Sequence, residues 1–212
     1  TVSVLYWVPS CCDSMATPPK CPSRLADRWV FWLDRWETNN GQTVQSLADI
    51  GEADTARGFW NIFDANPVEQ LPESCSLHVF KGQVRPEWED KANINGGHFR
   101  FTTLPDQPNA SPGRLWYSLV LGAIGNQFTL SSSVVGVGFT NKGTRKVVSV
   151  WINTADQAVV RALQSDMHVH TGERFASKFV AHQNIPRSDF TAQETVLHRR
   201  TKSAPSQYVS VD

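Results

Sequence analysis

Val84-Arg85-Pro86-Glu87-Trp88-Glu89-Asp90, followed by Asn93-Ile94-Asn95-Gly96-Gly97-His98-Phe99, sets an indole between two carboxylates, just after a proline and before a double glycine. The interior of a strand or helix does not surround one Trp with Glu, Glu and Asp and then add two glycines. The stretch reads as a loop that presents a flat aromatic face beside an anionic hydrogen-bond acceptor. Such a pair suits a flat, electron-poor ligand with N–H donors along one edge. On either side the pattern changes. Residues 75–81 alternate and read as a strand ending at Gly82, and residues 98–103 alternate again. The loop therefore hangs between two strands.

Further out, residues 133–140 and 146–153 read as two more strands joined by the basic turn Asn141-Lys142-Gly143-Thr144-Arg145, a hairpin. Residues 175–182 and 207–211 read as late strands. Helices are expected at 54–63, capped by Asp54 or Thr55, at 112–125, stopped by Gly125, and at 154–167, with Ala158, Val159, Ala162, Leu163 and Met167 inward. Residues 28–34 are ambiguous. Trp29, Trp32, Leu33 and Trp36 make a helical stripe, whereas the aromatic and β-branched content favours a strand. Residues 38–43 read as a plain turn. Strands pair through turns and no βαβ repeat is present. The fold class is α+β, an antiparallel sheet with helices on one face.

Composition narrows the function. The chain has 212 residues, enough for one domain, with 20 Lys plus Arg against 20 Asp plus Glu. A balanced charge argues against coating nucleic acid by bulk electrostatics, so any phosphate site is a local cluster. There are 8 Trp and only 3 Tyr, a bias towards indole itself. The four cysteines lack the paired C-x-x-C spacing of a zinc site and make no disulfide framework, so neither metal nor cofactor is expected. No apolar run is long enough to span a membrane, and residues 1–9 are too short and uncharged for a secretory signal. Cytosol or nucleus is the expected location. Residues 1–27, broken by Pro9, Pro18, Pro19 and Pro22, read as an extension, and 28–212 as the functional domain. An enzymatic reading of Glu87, Glu89 and Asp90 fails on geometry. Neighbours on one loop do not flank a bond, and no nucleophile–His pair stands out.

The ordered series Arg28-Trp29-Val30-Phe31-Trp32, Phe59-Trp60, Phe80-Lys81, Pro86-Glu87-Trp88-Glu89-Asp90, Gly96-Gly97, Leu115-Trp116, Ile124-Gly125, Lys142-Gly143 and Val150-Trp151 resembles the eukaryotic translation initiation factor 4E family, the messenger-RNA cap-binding proteins. The resemblance implies a curved antiparallel sheet of about eight strands, three helices on its convex face and a cap slot on the concave one. It implies that Trp88 stacks on 7-methylguanine, that Glu89 accepts the two guanine N–H groups, and that Trp151 touches the methyl group. From the residues alone, Glu87 and Glu89 stand as equals. The family's second stacking Trp falls near Thr43 or Val44, where none is found, and Trp36 is the candidate. Trp36 also continues the Trp29–Trp32 apolar stripe. Lys142, Arg145 and Lys146 are the implied triphosphate ligands, in a turn about two residues longer than the family's. His98 stands where the family often has a basic residue, and Arg187 lies in a late basic loop. Trp60, Tyr117, Leu121 and Gly125 match the dorsal patch that docks a helical peptide from the scaffold subunit or a repressor. Ala56 and Arg57-Gly58 depart from it, standing where the family has a larger apolar residue and acids. The expected function is cap binding in translation initiation. The alternatives are a cap-binding repressor or specialised paralogue, and a protein-interaction module with a degraded cap site.

Overall fold

The computed structural model describes residues 24–39, 42–103, 111–171 and 175–184. β1 (Arg24–Asn39) resolves the ambiguity over residues 28–36 in favour of a strand. Trp29, Phe31 and Leu33 enter the main core, while Val30 and Trp32 enter a smaller cluster with Leu47, Phe80 and Val135. Alternation between two buried faces is the two-residue period of a strand, and the helical spacing of the tryptophans is incidental. The strand begins at Arg24, inside the stretch read as an extension.

β2 (Gln42–Thr55) corrects the plain turn expected at 38–43, because β1 runs on to Asn39 and β2 resumes at Gln42. Its Asp49, Gly51, Glu52 and Asp54 are poor strand formers. They are tolerated because β2 is an edge strand among the described residues and pairs there only with β1. β3 (Cys75–Lys81), β4 (Gly97–Thr103), β5 (Val134–Lys142), β6 (Arg145–Ile152) and β7 (Phe175–Ala181) complete a curved sheet in the order β2-β1-β3-β5-β6-β4-β7. All six pairings are antiparallel. The described residues hold seven strands, where about eight were expected. The strand expected at 207–211 lies outside them.

Three helices cover one face. α1 (Ala56–Ala65) is capped by Thr55, whose Oγ1 accepts the Gly58 N–H at 3.2 Å. α2 (Pro112–Ile124) is capped by Ser111. Gly125 follows it with φ −79°, and the left-handed residue is Asn126, at φ 51°. α3 (Gln157–Thr171) starts three residues later than expected, where the Asp156 carboxylate accepts the N–H groups of Ala158 and Val159. Its inward residues are accordingly Val160, Leu163 and Met167, and Ala158 is exposed. Phe59, Leu115, Trp116, Leu119, Leu163 and Met167 pack on Trp29, Phe31, Leu77, Val137 and Val150 in the main core. Apolar burial on this side holds the fold together. No helix among the described residues is long and apolar enough to cross a membrane.

Candidate functional site

The concave face carries the other set of alternating side chains. On β1 these are Val30, Trp32, Asp34 and Trp36. β3 adds His78 and Phe80, β4 adds His98 and Arg100, and β6 adds Ser149 and Trp151. β5 is nearly bare here. A Cβ on Gly136 would lie 2.3 Å from the Phe80 ring. Glycine leaves room for that ring, and the Phe80 ring meets Trp151 edge-on at 5.5 Å. Trp151 is half-buried and donates Nε1–H to Ser149 Oγ at 3.2 Å. His98 stacks on it at 5.2 Å and 24°, and His182 leans on it at 4.8 Å.

The loop between β3 and β4 folds back over this surface. Val84 packs with Trp151 on the Val30–Trp32–Phe80 cluster, and the Arg85 guanidinium lies 5.9 Å from the centre of the Trp32 ring. Glu87 makes a two-pronged pair with Arg85, both contacts at 2.9 Å. Glu89 is exposed. The two carboxylates that the sequence leaves equivalent thus differ in exposure, Glu87 being half-buried. Trp88 between them is half-buried. Asp90, the third acid, braces the loop by accepting the N–H groups of Arg85 and Ala92. Asn93, fully buried, donates to the carbonyls of Arg85 and Glu87 at 2.8 and 2.7 Å. Gly96 closes the loop so tightly that a Cβ there would lie 1.9 Å from the Ile152 carbonyl.

His182 Nδ1 donates to the Asn93 carbonyl at 2.7 Å, which leaves Nε2 to accept from His98 Nδ1 at 3.1 Å. Burial keeps both rings neutral. It pushes His98 down to about 3, helped by His182 and Arg100. It holds His182 below the ordinary value against the Asn93 hydrogen bond. His98, half-buried, thus pairs with the buried His182. Asn93, His182 and Arg100 carried no sequence signal of their own.

Trp36 is not core: it is 37% exposed, and its Nε1–H reaches Asp34 Oδ2 at 3.2 Å. Its backbone N–H bonds Ser74, whose own N–H bonds Asn141 at the foot of the basic hairpin. The Trp36 end of β1 and the hairpin are therefore neighbours. Lys142, Arg145 and Lys146 are all exposed. Lys142 pairs across the hairpin with Arg145, in register with Thr140–Val147 and Gly138–Ser149, so both belong to the concave face. Lys146 belongs to the other face, where its Nζ bonds Asn141 Oδ1 and the Gly143 carbonyl. Arg187 lies outside the described residues.

On the convex side, Trp60 of α1 and Tyr117 of α2 meet at 6.0 Å, with Phe63 edge-on between them. Tyr117 is 45% exposed, and Trp60 and Leu121 are half-buried. Gly125 is exposed at the end of α2. Tyr117, Leu121 and Gly125 recur every fourth residue along α2, and Tyr117 borders a hollow of about 270 Å³ also lined by Phe63 and Trp116. Trp116, Leu119 and Ile124 are buried beneath.

Residues 24–196 match the family model described as eukaryotic initiation factor 4E. The chain belongs to the eukaryotic initiation factor 4E family. The Triticum aestivum eukaryotic translation initiation factor NCBP is 34% identical over 155 residues, 69% of this chain and 63% of that protein. The Dictyostelium discoideum eukaryotic translation initiation factor 4E is 29% identical over 134 residues, 62% of this chain and about half (52%) of that protein. A solved complex of C. elegans eIF4E-3 with the 4E-binding protein Mextli and cap analog superposes with TM-score 0.66 at 18% identity, over 82% of this chain and 98% of that one. At that identity the likeness speaks for the fold.

Proposed function

We propose that the chain binds the 7-methylguanosine cap of messenger RNA on its concave face and brings the message to the translation initiation machinery, with no catalytic step of its own and in the cytoplasm. Family membership supports the reading, and one observation carries it: Trp36 and Trp151 stand on the concave face over which the loop with Trp88 and Glu89 folds back. The cationic base slides between Trp88 and Trp36, each contact contributing about 1–3 kcal/mol by stacking. Glu89 accepts the two guanine N–H groups as a charge-assisted pair, and the Trp88 N–H donates to the guanine carbonyl. The methyl group meets Trp151. Lys142 and Arg145 bind the triphosphate, and Lys146 braces their turn. A helical peptide from the scaffold subunit or a repressor lies on Trp60, Tyr117, Leu121 and Gly125.

The test is retention on 7-methylguanosine resin with elution by free cap analogue. Glu89→Ala is expected to lose retention and Glu87→Ala to keep most of it; retention that survives Glu89→Ala overturns the site. A second reading, a cap-binding repressor, is favoured by Arg57, an exposed cation on α1 where the family resemblance implies acids. Capture of capped RNA without any scaffold subunit in a pull-down supports it.

A further inference from the structure

Asp34 keeps a carboxylate where the fold least favours one. It is 7% exposed on the concave side of β1, beside Ser76 of β3. Its Oδ2 accepts the Trp36 indole N–H at 3.2 Å, the Gln45 side chain bonds the same carboxylate, and Oδ1 has no hydrogen-bond partner among the described residues. No cation among the described residues pairs with it. Glu87 approaches from the loop, itself held by Arg85. His78 lies on the same face of β3 and is kept neutral by burial, and Asp49 on β2 is turned to the Gly51 N–H. An Asn would make the same bond to Trp36 with no charge to bury. The charge is therefore what asks for an explanation.

We propose that Asp34 is a positioning residue for the cap. Its ionised carboxylate fixes the Trp36 ring and pushes electron density into the indole, so that cap affinity rises when Asp34 loses its proton. The inference rests on the reading of Trp36 as the second stacking face. A cation is attracted to an aromatic face by the electron density there, and an N–H bonded to an anion enriches that density. A buried anion behind the ring also acts on the cationic base with little screening. Burial raises Asp34 to about 6, with Glu87 adding to the rise. A cation stacked over Trp36 favours the ionised form and draws that value down. The contribution is full above about pH 6 and fades as pH falls through it.

The experiment is titration of tryptophan fluorescence with 7-methyl-GTP on the full chain, comparing wild type, Asp34→Asn and Trp36→Leu. Asp34→Asn is expected to bind about fivefold more weakly near pH 7.5 and to match wild type near pH 5. Comparison at each pH cancels titration of the ligand. The melting temperature of Asp34→Asn near pH 7.5 is expected above that of wild type, since a buried charge has gone; a merely structural residue gives the opposite sign. Equal affinities at neutral pH, or a ratio constant across the range, overturn the inference. If Trp36→Leu binds as tightly as wild type, the Trp36 reading itself fails. If Trp36→Leu weakens binding and Asp34→Asn does not, only the role of Asp34 falls.

Discussion

His182, just past the end of β7, holds the carbonyl of Asn93 at 2.7 Å, and Asn93 in turn carries the loop with Glu87, Trp88 and Glu89. A residue 89 positions away thus anchors that loop. His182→Ala removes this anchor and leaves the His98 Nδ1 proton without its acceptor. A buried donor without a partner costs about 1–3 kcal/mol. Hydrogen exchange is expected to quicken over residues 84–96 while α1 and α2 keep their protection. Uniform loss of protection over both regions counts against a local anchor.

Acid destabilises this fold through its histidines. Burial lowers His78 to about 4 and His98 to about 3, and lowers His182 as well. Below about pH 6.5 the unfolded chain takes up protons that the folded chain refuses, so stability is present above that value and is lost as pH falls. Asp34 works the other way. Its folded value, about 6, lies above the ordinary 3.8, so it adds stability as pH falls between them. Melting temperatures are expected to drop from neutral pH towards pH 5, and to drop more steeply in Asp34→Asn. A flat profile in both proteins contradicts the buried neutral imidazoles.

The hairpin cations divide by face. Lys142→Ala and Arg145→Ala are expected to weaken binding of 7-methyl-GTP several-fold, by about 1 kcal/mol each, and to leave 7-methylguanosine nucleoside unaffected. Lys146→Ala is expected to act less on affinity than on the hairpin, because its Nζ is bound to Asn141 and Gly143. The salt dependence of 7-methyl-GTP binding reads the same division: the slope falls for the first two variants and holds for the third. Equal losses in all three variants refute the assignment by face.

Gly136 is the floor of the slot seen from β5. Gly136→Ala drives a Cβ to within 2.3 Å of the Phe80 ring, which must shift and disturb Trp151 against it. Overpacking of this kind costs about 1–3 kcal/mol. A lower melting temperature and an altered Trp emission are expected together. Wild-type values for both show that the ring has room to move.

The sequence by itself determined the class of fold, because hairpins and capped helices write their periods locally. It also placed the presenting loop, since only a loop tolerates Glu, Trp, Glu and Asp followed by two glycines. β2 escaped it, because an edge strand needs only its neighbour's hydrogen bonds and few strand-forming residues. Tertiary structure alone decided that Glu87 pairs with Arg85. Glu87 and Glu89 have the same chemistry, and the fold half-buries Glu87 against Arg85, held over Trp32, while it leaves Glu89 at the surface. It alone turned Trp36 outward, for the side on which a residue of β1 falls is fixed by the sheet. The Asn93–His182–His98 chain and the carboxylate behind Trp36 likewise join or bury groups whose partners the linear order does not name. Periodicity is a local property of the chain, whereas burial and hydrogen-bond partnership exist only once distant strands lie side by side.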